Sequence, residues 1–142
     1  MTGVFFYTHA EDKLQTACTL MAKALARGMR VLILTPDEAT TERLDKLIWS
    51  VPATGFVPHC RSTDPLAPVT PVIVDHVAEP LVHDQVLVNL CVRTPPMFSR
   101  FERLVEIVGT DAADRDAARA RFRFYRDRGY EIRTHQLGAS PP

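Results

Sequence analysis

The sequence predicts one layered α/β domain built on a mostly parallel sheet, and three observations predict it. Short β-branched runs alternate with stretches whose apolar residues recur every three to four positions. The run Arg30-Val31-Leu32-Ile33-Leu34-Thr35 is almost wholly apolar, as a strand buried on both faces requires. At 142 residues the chain has the length of a single domain, and it shows no internal repeat, linker or low-complexity block.

Val4-Phe5-Phe6-Tyr7 is β-branched and aromatic and predicts the first strand. Leu14, Ala17, Cys18, Met21 and Leu25 then follow helical spacing, and Gly28 stands where that helix should stop. Arg30–Thr35 forms the second strand, which Pro36 ends. Thr40 or Thr41 is placed to cap a helix carrying Leu44, Leu47, Ile48 and Trp49. Pro52, Pro58, Pro65, Pro68 and Pro71 break up the next stretch and exclude long regular elements. Within it, Gly55-Phe56-Val57 and Val72-Ile73-Val74 are able to pair as short strands.

Val86–Val92 reads as a further strand. Beyond Pro95-Pro96, the residues Phe98, Phe101, Leu104, Val105 and Val108 are spaced as on a helix that Gly109 breaks. Asp111 or Asp114 caps the next helix, which runs to Gly129, and Tyr130–His135 closes the domain as a strand. The domain is thus 1–137, and Gly-Ala-Ser-Pro-Pro at 138–142 is expected to be a disordered tail.

Composition narrows the function. Apolar residues make up 46% and charged residues 24%, which suits a globular protein and not a disordered one. Seventeen Lys and Arg balance seventeen Asp and Glu, so direct binding of nucleic acid is expected to be weak or absent, although a local basic patch stays open. Cys18, Cys60 and Cys91 are odd in number and far apart, which fits free thiols in a reducing cytoplasm. Nothing near Val4–Tyr7 reads as a signal peptide, and no apolar stretch approaches the roughly 18 residues that span a bilayer. The expected location is cytoplasmic.

Catalytic motifs are missing. The turn after the first strand, Thr8-His9-Ala10-Glu11-Asp12, has no glycine to let backbone N–H groups approach a phosphate, and its acidic pair would repel one. Pro36-Asp37-Glu38 after the second strand is acidic too. His59-Cys60 and Cys91 lack the spacing that seeds a metal site, and Asp75-His76 and His83-Asp84 are neighbours whose side chains diverge on a strand. No G-x-S-x-G elbow occurs. The expectation is a protein without cofactor, metal or active site. The alternative is a small α/β nucleotide-binding enzyme that uses the sheet's C-terminal edge.

The conspicuous segment is Asp111–Tyr130, with six arginines, four aspartates and no lysine. Arg115, Arg119, Phe122 and Arg126 share a helical face, and Ala118, Phe122 and Tyr125 form an adjoining apolar stripe. Guanidinium forks beside aromatic area suit a peptide that is both acidic and hydrophobic. By spacing alone, packing the helix on the sheet is the better reading of the same aromatics.

Several of these motifs recur in a known family. Arg30-Val31-Leu32-Ile33, then Arg43-Leu44-Asp45 with Leu47-Ile48-Trp49, then Phe56-Val57-Pro58-His59 resemble the chi subunit of bacterial DNA polymerase III. Ala118-Arg119-Ala120-Arg121-Phe122, Tyr125-Arg126 and Gly129-Tyr130 are similar to the same family, in the same order along the chain. The resemblance implies a three-layer α/β/α fold and a non-catalytic accessory subunit of the clamp-loader complex. It also implies two partners, the psi subunit and the acidic, carboxylate-ended C-terminal tail of single-stranded DNA-binding protein. On the tail-binding side it implies Arg119 as the carboxylate grip and Phe122, often tyrosine in the family, as a pocket wall. Arg115 would attract the tail's acidic part, Val108 would line the pocket, and Gly129 would allow close backbone approach. Arg121, Arg123 and Arg128 are left as solvated bystanders. Trp49, Phe56, Val57, Pro58 and His59 are the weaker candidates for the psi-facing surface, and Trp49 and Phe56 suit a buried core equally well.

Overall fold

The protein, analysed as a computed structural model, is described over residues 1–50 and 56–138. Strands β1 (Gly3–Ala10), β2 (Val31–Leu34), β3 (His59–Cys60), β4 (Val72–Asp75), β5 (Val86–Asn89), β6 (Arg103–Gly109) and β7 (Ile132–Gln136) form one sheet. Helices α1 (Lys13–Ala26), α2 (Glu38–Ser50) and α3 (Ala112–Asp127) connect them. The strand order is β3-β4-β2-β5-β6-β1-β7, and every neighbouring pair is parallel.

Alternation along the strands splits the core in two. Val31 and Ile33 of β2 pack with Ala17 and Met21 of α1 and with Leu44 and Ile48 of α2. Leu32 and Leu34 point the other way, into a cluster with Ala118 and Tyr125 of α3. The sheet is therefore the middle of three layers, as expected, with α1 and α2 on one face and α3 on the other. A strand covered on both faces must be apolar at successive positions, which is why all four residues of β2 are buried.

Three sequence expectations are corrected. The run from Phe98 to Val108 is not a helix: Phe98–Arg100 is a single 3-10 turn, and Arg103–Gly109 is β6, in the interior of the sheet. A strand buried on both faces has no period of two, so Leu104, Val105 and Val108 mimic helical spacing. Helix α2 begins before Thr40, because the Asp37 side chain accepts the Thr40 N–H at 2.7 Å and caps it. The strand expected at Gly55–Val57 is displaced: Phe56 and Val57 are outside any strand, and His59–Cys60 pairs instead with Val72 and Ile73. Gly55 itself, like residues 139–142 of the expected tail, lies outside the described residues.

At the C-terminal end of β4, the buried Asp75 collects donors from two segments, Arg61–Ser62 and the chain just after β4. Its carboxylate accepts the Ser62 N–H at 3.0 Å, the Ser62 hydroxyl at 2.8 Å and the His76 N–H at 2.8 Å. Arg61 adds a contact at 3.2 Å and bonds Glu38 of α2 as well. The His76 ring lies 3.2 Å from the same carboxylate, so this neighbouring pair converges where divergence was expected. Burial works to raise the Asp75 pKa, but the Ser62 and Arg61 donors outweigh it and hold the carboxyl below its ordinary value. Stability from such a group is present above the unfolded carboxyl pKa of about 3.9 and is lost as pH falls through the lower folded value. Asp75→Asn is accordingly expected to cost about 2–3 kcal/mol at neutral pH. The cost should shrink in urea unfolding at strongly acid pH, and an equal cost at both would refute the assignment.

Candidate functional site

The arginine-rich helix forms for local reasons. The Asp111 side chain accepts the Asp114 N–H at 3.1 Å as the N-cap of α3, and Asp114 in turn bonds the Gly109 N–H at 2.5 Å and Lys13 at 3.3 Å. At the other end Gly129 takes φ +80°. That left-handed turn lets the Gly129 and Tyr130 N–H groups bond the carbonyls of Arg126 and Tyr125, closing the helix.

What seats α3 on the sheet is a buried polar cluster that spacing did not reveal. Glu106 of β6 is fully buried. It accepts hydrogen bonds from Arg121 Nε at 3.1 Å, Asn89 Nδ2 at 2.8 Å and Tyr125 Oη at 2.5 Å. Arg121 also donates to the Val92 carbonyl at 2.7 Å. Burial drives the Glu106 carboxyl upward against the pull of Arg121, Tyr125 and Asn89. The Tyr125 phenol is raised too, first by burial and then by Glu106, and so stays a donor. Arg121 is thus no solvated bystander. It is only 3% exposed, because its helix position faces the Glu106 carboxylate buried under α3. Arg123 is exposed as expected, whereas the Arg128 guanidinium lies 3.6 Å from the centre of the Phe124 ring.

With α3 fixed, a pocket of about 300 Å³ opens between it, the C-terminal half of β1 and the edge strand β7. Val108, Arg115, Arg119 and Phe122, all singled out in the sequence, line it together. Phe6, Thr8 and His9 of β1, Ala118 of α3 and Thr134 of β7 complete it. The Phe6 and Phe122 rings meet at 5.6 Å and make an apolar wall. At the rim, Arg119 is bound to solvent-exposed Asp116 at 3.0 Å, a surface pair of small worth that a stronger anion can displace. Gly129 stands apart, beyond the opposite end of the helix from Arg115 and roughly 20 Å along its axis. His9 was missed because only the packing of α3 over the end of β1 brings it to the pocket. Its φ of +62° is a signal that sequence does not carry.

A second exposed patch lies at the end of α2. Trp49 is 57% and Phe56 98% exposed, so neither serves the core. The Trp49 ring meets His59 at 4.6 Å. His59 Nδ1 lies 2.8 Å from the Val57 carbonyl, while Nε2 is 2.9 Å from Asp45 but out of line for a hydrogen bond. Pro58 is exposed and Val57 half-buried beside them.

The sheet's C-terminal edge, where doubly wound folds hold nucleotides, has a cleft of about 530 Å³. Glu11, Asp12 and Asp111 line it, and its Lys13 is already paired with Asp114. Among the described residues no three His, Cys, Asp or Glu side chains are grouped to hold a metal ion. Burial pushes the Cys18 thiol up to about 11, with Asp12 adding to the effect.

Comparison with known proteins decides the family. The sequence profile described as "DNA polymerase III chi subunit, HolC" matches residues 1–133. The chain belongs to this chi-subunit family. A chi subunit from Pseudomonas aeruginosa is 36% identical over 141 residues, covering 96% of this chain and 98% of its own. Those of Haemophilus influenzae and Escherichia coli are 28% and 29% identical, covering 87% and 84% of this chain and 87% and 82% of their own. The chi family is part of DNA polymerase III, and DNA replication is the role of this chain. Among the described residues no helix is long and apolar enough to cross a membrane.

Proposed function

We propose that this chi-type subunit is a non-catalytic adaptor. It holds the acidic C-terminal tail of single-stranded DNA-binding protein in the α3 pocket and is tied to the clamp loader through psi. The observation that carries the reading is the pairing, in one pocket, of the Phe6–Phe122 wall with Arg115 and Arg119 at its rim. A peptide ending in an aromatic residue would place its ring against that wall. Its terminal carboxylate would replace Asp116 on Arg119, and its acidic residues would run toward Arg115. At about 300 Å³ the pocket is at the lower limit for ligand sites, enough for one side chain and small for a dinucleotide.

Trp49 and Phe56 are the psi-facing residues in this reading. Two large apolar side chains left in water, Trp49 against His59 and Phe56 shortly before β3, are typical of an interface awaiting its partner.

Calorimetry with the tail peptide tests the first contact. Binding is expected, with affinity falling as salt rises, since the rim charges are exposed and screened. Converting the peptide's terminal carboxylate to an amide is expected to weaken binding by about 1.5–3 kcal/mol. Equal affinity for acid and amide forms would remove the role of Arg119.

A further inference from the structure

We propose that the outer face of β6, β1 and β7, on the side opposite α3, is a separate site that binds a short single strand of nucleic acid. Alternation along β1 sends Val4 and Phe6 into the core beneath α3 and leaves Phe5 and Tyr7 on the other side. Register places Arg133 beside Phe5 and His135 beside Tyr7 on β7, and Arg103 of β6 beside Gly3. Helix α1 packs chiefly over β6, β2 and β5, and its Leu20, Lys23, Ala24 and Arg27 form one wall of a groove whose other side is Phe5, Tyr7, Arg133 and His135 of β1 and β7. Two shallow grooves, of about 220 and 390 Å³, share Phe5, Arg27, Arg103 and Arg133.

Charge and ring geometry name the occupant. Lys23 and Arg27 overhang the face from the end of α1, and with Arg103 and Arg133 they make four cations. Among the described residues Lys23, Arg27 and Arg103 form no ion pair, and Arg133 has only the exposed Glu131 at 3.3 Å. Between these cations lie flat rings. Tyr7 stacks on the exposed His135 with centroids 5.2 Å apart and planes 14° from parallel, and Arg103 sits 5.7 Å over Phe5. One stacked ring pair and a third ring under Arg103, flanked by cations of which three are free of ion pairs among the described residues, complement bases and phosphates together. An acidic peptide would satisfy the cations but leave the Tyr7–His135 stack unused. The balanced net charge keeps such binding weak for the free chain. A subunit tethered near exposed template needs no more, since tethering raises the effective concentration.

The test is a titration of the isotope-labelled full chain with oligothymidylate of about ten nucleotides at low salt, followed by backbone amide shifts. Shifts are expected at Tyr7, Arg103, Arg133 and His135. Arg27 and Arg133 are exposed, so their alanine variants should fold. Each should weaken binding about three- to tenfold and reduce the salt slope by about 0.7. Tyr7→Leu keeps the charge and should weaken binding about fivefold or more, while Arg123→Ala on α3 should change nothing. Oligouridylate in a parallel titration shows whether the site prefers RNA or DNA. The proposal is overturned by three results: no binding below about 1 mM, shifts confined to the arginines of α3, or equal binding of polyglutamate of the same charge.

Discussion

Arg121→Ala is expected to destabilise the protein by about 3–5 kcal/mol, a loss that an exposed arginine on the same helix would not produce. The substitution strands Glu106 beneath α3 with its cation gone. It also leaves the Val92 carbonyl without the donor at 2.7 Å. Urea unfolding of Arg121→Ala beside Arg123→Ala measures the difference, and a loss under about 1 kcal/mol for Arg121→Ala would show that the cluster contributes little. The combined variant Glu106→Leu, Arg121→Met and Tyr125→Phe removes the charges and the orphaned hydroxyl together. It should recover most of the loss, because buried ion pairs are costly to break but not to replace. Asn89 keeps the Cys91 and Arg93 carbonyls as partners in that background.

Arg119→Ala should leave stability almost untouched and yet cost about 1.5–3 kcal/mol in affinity for the tail peptide. The two readouts separate because Arg119 is a rim residue, 68% exposed, whose ion-pair partner among the described residues is Asp116. Arg115→Ala should cost less, since a solvated charge acting at a distance is screened. A calorimetric titration in which Arg119→Ala matches the native chain would transfer the carboxylate grip to another group in the pocket, Arg115 or His9, which line it too.

The parts of the fold that were legible in the sequence have local causes. Val31–Leu34 announced a doubly covered strand, and Gly28 and Gly129 marked helix ends where φ of +75° and +80° is needed. The same reading misjudged β6, because Leu104, Val105 and Val108 serve opposite faces of a covered strand. It also misjudged Arg121. The spacing Asp114, Ala118, Arg121, Tyr125 is itself a helical stripe, and all four are buried. An arginine in that stripe becomes intelligible only once Glu106 is known to lie below it.

The sequence by itself determined most of the elements though not β6, the α/β class, the helix that carries the cations, and the family resemblance. Each of these depends on residues within a turn or two of one another, or on matching motifs. The tertiary structure alone decided the strand order. By packing α3 over the end of β1 and setting β7 beside that strand, it brought His9, Thr8 and Thr134 to α3 and closed the pocket around Arg115, Arg119 and Phe122. It also decided which of six arginines is interior. The physical reason is the same in both cases: burial and charge pairing are set by neighbours distant in the chain, and a single sequence does not record which of them meet.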